Sequence, residues 1–573
     1  MRKFAPVLLV VMAACRSAGV TASGGMPARP TGAAYDVVIT NGRIVDGTGA
    51  AWFWGDLAIR GDRIARIAPR GALARASATR RIDVGGKVVA PGFIDIQAHS
   101  YMNFMTGDGR ALSMVTQGIT TAIFGEGVTP SPITEAEFAA IRDSAERRMA
   151  APYVGQHAFD NWLTGMAARG AAQNLGSFLG AGNVRIFGKG RAMGAPNAGE
   201  LDSMRAVVRR AMEDGAFGVA SALIYPPNNY ASTEELIEAA KAMSPYGGVY
   251  ITHMRSEGDQ FLEAMDEAIR IGKEGNVPVE IYHLKASGPR NWPKMPRAIA
   301  KIDSARAAGQ DVQANMYLYI AGANSFRSCI APKYAEDGKF FENLRNAALR
   351  PQIKKDLMAD DAGYENLCSV AGPGNVMVVG FTKPELKQFE GKRLDEIARA
   401  LGKDWGDAII DLNLEENGGL GEILFLMSEE NMRLQLRQPW MKFGTDAGSQ
   451  DPARATGMTH PRAYGDFPRL FAKYVREEKV IPLEDAVRKA SSAVATRLSL
   501  SDRGVLREGM KADIVVFDEN TIRDLATFEK PHQLSVGISH VLVNGVEVLR
   551  DGVHTGAKPG QVVRGPGWTG APR

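Results

Sequence analysis

Eight short apolar runs rich in β-forming residues alternate with amphipathic helical stretches through the middle of this 573-residue chain. That alternation constrains the fold more than any other feature, because a parallel strand covered on both faces reads as an unbroken apolar run. The runs end near His99, Phe124, Phe187, Leu223, His253, His283, Tyr317 and Thr445. Helical stretches such as Asp202–Glu213, Thr233–Met243 and Leu262–Lys273 separate several of them. The pattern predicts an α/β fold, a (β/α)8 TIM-like barrel, with its chemistry at the strand C-termini. One more run, Val376 to Gly380, falls in the long interval 318–440, which reads as an inserted subdomain able to lid the barrel mouth.

Both flanks of the barrel read as short strands. Val37-Val38-Ile39 and Leu57-Ala58-Ile59 alternate with turns at Asn41-Gly42 and Gly61-Asp62; the same texture returns at Ala512–Phe517 and His540–Val543. A small β-sandwich built from both chain ends is expected. The implied limits are a targeting peptide and tether over 1–34, sandwich over 35–90, barrel over 91–502, sandwich again over 503–560, and a tail over 561–573. Arg2 and Lys3 precede the apolar run Phe4–Ala14, which is shorter than the roughly 20 residues a spanning helix needs and fits a signal peptide. Met12-Ala13-Ala14-Cys15 is similar to a bacterial lipobox, so the expected location is exported, either periplasmic or anchored to a membrane through lipidated Cys15.

Charge and cysteine content exclude other classes. Lys+Arg at 68 against Asp+Glu at 64 is too balanced for a nucleic-acid binder. Three cysteines without a CxxC pair leave neither a disulfide-stapled fold nor thiol chemistry to expect. The chemistry points to histidine instead. Of eight histidines, His99, His253 and His283 close strand-like runs, and imidazole suits a catalytic zinc with an open position for water. His253 and His283 stand one βα unit apart, on neighbouring strands. Glu126 in Phe124-Gly125-Glu126-Gly127 and Asp446 in Gly444-Thr445-Asp446-Ala447-Gly448 place carboxylates just past two other strands, while Asp95 reads as structural.

Ala90-Pro91-Gly92-Phe93-Ile94-Asp95, Gly118-Ile119-Thr120-Thr121, Thr252-His253-Met254-Arg255, Tyr282-His283-Leu284-Lys285, Gly444-Thr445-Asp446 and His460-Pro461-Arg462 resemble the amidohydrolase superfamily. More narrowly, they are similar to the D-aminoacylases (N-acyl-D-amino-acid deacylases), as is the tail motif Ala512–Phe517 with Ala526-Thr527-Phe528-Glu529. The resemblance implies zinc-dependent hydrolysis of the amide of an N-acyl amino acid, a D-amino acid in that family, or of a related small-molecule amide or peptide. It assigns a tight zinc to Glu126, His253 and His283, and a weak or absent second metal to His99, Asp446 and Gln97. Asp446 becomes the general base and acid, with His99 as its catalytic partner. Lys285, Arg255, Tyr225, Tyr317 and His460 become substrate contacts.

Three positions depart from the family pattern. Its first strand ends in His-x-His where this chain has Gln97-Ala98-His99; its metal-binding Cys is replaced by Glu126; its Gly-His-Gly is Gly180-Ala181-Gly182. Two alternatives stand beside the deacylase reading. One is a cyclic-amide hydrolase of the hydantoinase or dihydroorotase kind, which carries a metal-bridging lysine after the fourth strand where Ser221 to Tyr225 has none. The other is an exported binding protein on a scaffold that has lost catalysis through Gln97.

Overall fold

The computed structural model describes residues 34–359 and 363–570, so the targeting peptide and Cys15 lie outside the described residues. Eight parallel strands line up in chain order: β1 (Phe93–Asp95), β2 (Ile119–Phe124), β3 (Asn174–Ser177, continued by Leu179–Gly180), β4 (Gly218–Ala222), β5 (Val249–His253), β6 (Val279–Ile281), β7 (Val312–Met316) and β8 (Met441–Phe443). Almost every residue in these strands is buried, as helices on the outside and packed side chains within require. The circle closes beyond β1 and β8. There Asp446 N–H donates to Gln97 O at 2.8 Å and His99 N–H donates to Ala447 O at 3.0 Å. The bonds that close the barrel are therefore made by residues of the chemical site.

The third strand corrects the expectation drawn from the run ending at Phe187. Val184 to Phe187 lies in the helix Ala181–Gly188, and the strand sits some ten residues earlier. So short an apolar run does not separate a buried strand from a buried helix. Val376–Val379 is outside the barrel, as expected: it joins Gly322–Ser325 and Gly421–Leu424 in an antiparallel three-stranded sheet of the insert. Cys329 and Cys368 form a disulfide within that insert, against the expectation from the low cysteine count.

The two chain ends share one nine-stranded sheet, joined where Val88–Pro91 pairs antiparallel with Ile514–Phe517. Its core includes Val37, Leu57, Ile59, Val89, Ile514 and Leu542. The residues beyond 560 are more than a tail: Val563 N–H donates to Leu175 O at 2.7 Å and its side chain is buried under β3. Among the described residues no helix is long and apolar enough to cross a membrane.

Candidate metal centre

Five of the expected side chains meet at the C-terminal mouth of the barrel. Glu126, in the loop after β2, is the hub. Its Oε1 lies 3.1 Å from His253 Nδ1, at the end of β5, and 3.5 Å from His283 Nε2, two residues past β6. Its Oε2 lies 3.3 Å from His99 Nε2, which in turn is 3.1 Å from Asp446 Oδ1. The imidazoles of His253 and His283 stand nearly perpendicular with centroids 4.4 Å apart. Two three-residue donor sets result, Glu126/His253/His283 and His99/Glu126/Asp446, each with its ligand atoms within 4.8 Å of one another.

Backbone strain accompanies this convergence. His283 at φ 32° and Asp446 at φ 48° occupy the left-handed region, which costs a non-glycine residue about 1–2 kcal/mol. The surrounding structure holds both in place. His283 N–H donates to Asn315 Oδ1 at 2.9 Å, and the barrel-closing bond to Gln97 O pins Asp446. Asp95 braces the same seam, accepting from Gln97 N–H and Thr445 N–H at 3.0 Å each. Burial pushes the Asp95 carboxyl up to about 6 despite those bonds.

Electrostatics couple the members. Burial alone would raise Glu126, but hydrogen bonds with His253, His283 and His99 hold it well below the usual carboxylate range. Burial likewise works against charge on His99, yet Asp446 and Glu126 outweigh it and lift the imidazole to about 10. Asp446 is lowered because the Arg462 guanidinium, with Nη1 2.8 Å from Oδ2, and His99 overcome its burial.

Two functional side chains escaped the sequence reading. Glu257, fully buried four residues after His253, accepts from Lys285 Nζ at 2.6 Å and lies 2.9 Å from His283 Nδ1 and 3.6 Å from His253 Nε2. The available signal was an acid at i+4 from a strand-end histidine. Arg462 is the second, two residues after the noticed His460 but read only as part of a motif. Gln97 also has a definite placement: its Nε2 donates to Glu126 Oε2 at 2.7 Å.

The expected substrate contacts divide. Tyr225 and His460 line a cavity of about 460 Å³ together with Arg462, His99, Glu126 and Asp446. Strands of the insert form its far wall, including Asn324 and Glu422. Tyr317 is buried beneath Arg462, whose guanidinium carbon lies 4.3 Å from the ring centroid. His460 is held neutral: its Nε2–H donates to Ala321 O at 2.9 Å, Nδ1 accepts from Arg462 N–H, and burial pushes its pKa well down. The structure does not bring Arg255 to the cavity, since its guanidinium binds Glu267 and the carbonyls of Asn229 and Ala231. The Lys285 ammonium is committed to Glu257 beside His283. A wider hollow of about 740 Å³ lies at the opposite end of the barrel, bordered by the segments that precede β6 and β7.

Comparison with known proteins places the chain. The profile of the amidohydrolase family matches residues 430–549. D-aminoacylase of Alcaligenes xylosoxydans xylosoxydans is 32% identical over 92% of this chain and 97% of its own length. N-acyl-D-glutamate deacylase of the same organism is 32% identical over 92% and 96%. The crystal structure of N-acyl-D-glutamate deacylase from Bordetella bronchiseptica superimposes with a TM-score of 0.74 at 29% identity, covering 92% of this chain and 99% of that one. That crystal contains zinc and a phosphonate that mimics the reaction's tetrahedral intermediate.

Proposed function

Because the chain belongs to the D-aminoacylase family of amidohydrolases, we propose that it is a zinc-dependent hydrolase of the amide bond in N-acyl amino acids, with D-amino acids as the substrate class. The convergence of Glu126, His253 and His283 on one point carries this reading. Those residues fit a zinc ion. His253 Nε2 and Glu257 Oε2 are buried and otherwise unpartnered, and they face each other at 3.6 Å. With the proton on Nε2, the Nδ1 lone pair of His253 is free for a metal. His283 makes the complementary choice: Nδ1–H donates to Glu257, leaving Nε2 directed at Glu126. A carboxylate that fixes imidazole tautomers in this way is the usual outer support of a metal site. Zinc held here supplies Lewis acidity, which polarises a carbonyl and acidifies water.

The chain's own residues supply the proton transfers and the orientation. Asp446, kept ionised by Arg462, takes a proton from the attacking water and returns it to the departing amine nitrogen. His99 holds Asp446 Oδ1 from the opposite side, so both carboxylate oxygens are restrained. Gln97 spends its amide N–H on Glu126, which supports one tight metal with a second weak or absent. Arg462 faces the cavity and offers its guanidinium to a substrate carboxylate, while Tyr225 lines the same cavity with its hydroxyl bonded to Asn324. The cyclic-amide reading loses support at β4, which ends at Ala222 and is followed by Leu223 to Tyr225 with no lysine to bridge metals.

The test is hydrolysis of a panel of N-acyl-D- and N-acyl-L-amino acids and dipeptides with added zinc. D-selective cleavage with about one zinc per chain is the expected outcome. Zinc near zero and no cleavage would favour a binding protein. The basic and apolar start of the chain supports export with Cys15 as the lipid attachment point. Membrane fractionation should then lose the protein to the soluble fraction in Cys15→Ser.

A further inference from the structure

A second cavity, of about 360 Å³, adjoins the catalytic one. Tyr225 and Ser325 belong to the walls of both. Tyr225 O–H donates to Asn324 Oδ1 at 2.5 Å and stands between the two cavities, while Ser325, which also lines both, is exposed to solvent. The other walls of the second cavity are largely apolar, with Ile224, Pro226, Pro227, Ile330 and Phe340 among them.

One charge in this cavity is unaccounted for. Arg327, which also lines it, has its guanidinium carbon 4.4 Å from the centroid of Phe340 and 5.4 Å from that of Phe341. Among the described residues it has no carboxylate partner. Arg191, the other cation lining it, is paired with Glu137 at 3.1 Å, and Glu336 accepts from Met193 N–H. A cation stacked on aromatic rings, exposed at the edge of a largely apolar recess next to a hydrolytic centre and left without an anion, is complementary to a chain that ends in an anion.

We propose that this second cavity is a substrate subsite: it takes an apolar chain attached to the scissile amide and ending in a carboxylate, which Arg327 binds. The subsite rests on the deacylase reading for the chemistry beside it. The carboxylate-ended chain has two sources, the acyl group or the amino-acid side chain, and both present the same chemistry to Arg327.

The test uses the zinc-loaded full chain and Arg327→Met, which keeps an apolar stem against the two rings while removing the charge. Substrates are N-acetyl-, N-octanoyl- and N-suberoyl-D-leucine, N-acetyl-D-2-aminooctanoate and N-acetyl-D-2-aminosuberate. The expected result is that one of the two carboxylate-ended compounds exceeds its uncharged counterpart in kcat/KM, through KM. Arg327→Met should erase that advantage, about tenfold or more for a charge-assisted pair, and leave N-acetyl-D-leucine unchanged. Preference for N-suberoyl-D-leucine assigns the subsite to the acyl chain; preference for the aminosuberate assigns it to the side chain. Equal slowing of all substrates by Arg327→Met, or no preference for either carboxylate-ended compound, would overturn the subsite. Failure of the deacylase reading looks different, since no compound is cleaved. Calorimetric binding of the same compounds to wild type and Arg327→Met then decides the subsite alone: weaker binding of a carboxylate-ended compound by the variant sustains it, and equal binding overturns it.

Discussion

The barrel buries two clusters of charge, and they are built on opposite principles. Toward the start of the strands, Glu280 on β6 pairs with Lys442 on β8 at 2.9 Å and with Arg497 at 2.9 Å, while Arg497 also reaches Asp311 at 2.7 Å. Lys442 adds bonds to Gln313 Oε1 and Trp440 O. That cluster supplies its own cations. At the other end of the same strands Arg462 balances Asp446 and Lys285 balances Glu257, but Glu126 has only imidazoles to balance it, those of His99, His253 and His283. Buried charge in a closed cluster is a solved structural problem; at the mouth it is a site that calls for an outside cation.

Four experiments probe that contrast. The largest effect belongs to Asp446→Asn, which keeps the shape and removes the base: kcat should fall about 10²- to 10⁴-fold while zinc content holds. Steady-state rates alongside metal analysis check both halves, and full turnover at unchanged zinc would defeat the assignment. At the closed cluster the variant Lys442→Met should leave zinc content untouched and instead cost roughly 3–5 kcal/mol of stability in denaturant unfolding, because Glu280 loses a buried partner. Metal withdrawal should act only at the mouth. At free zinc about 1,000-fold above Kd, binding adds about 4 kcal/mol to stability, so chelation should lower Tm in wild type and in Lys442→Met alike. In Glu126→Gln, where the hub ligand is neutral, chelation should change nothing.

The uneven legibility of the sequence follows the same division. His99, His253, His283 and Asp446 could be found because each sits just where an apolar strand ends, and strand ends are local features. Glu257 and Arg462 were harder because their importance depends on what the closed barrel sets beside them: two imidazoles for one, Asp446 for the other. Lys285 and Arg255 have the right charge at the right spacing, yet each is satisfied by an acid that spacing does not reveal, Glu257 and Glu267. The cysteine count misled for a similar reason. Cys329 and Cys368 are 39 residues apart and meet only because the insert folds back on itself.

The smallest expected effect concerns pH, and it belongs to the closed cluster. Burial pulls the Lys442 ammonium down to about 8, although Glu280 beside it works in the opposite direction. An unfolded chain keeps that proton up to the ordinary lysine pKa of about 10.4. Between those values the unfolded state therefore binds more protons than the folded one, so raising the pH favours the folded state. Wild-type stability measured relative to Lys442→Met should rise from about pH 8 to pH 10.4, with a slope no steeper than about 1.4 kcal/mol per unit. Below pH 8 both states carry the proton and the difference should be flat. Denaturant midpoints of the two proteins across that range measure the slope directly. A difference that falls with pH would mean that Glu280 and Asp311 hold the lysine charged in the folded state against burial and the nearby Arg497, making the closed cluster tighter than burial alone allows.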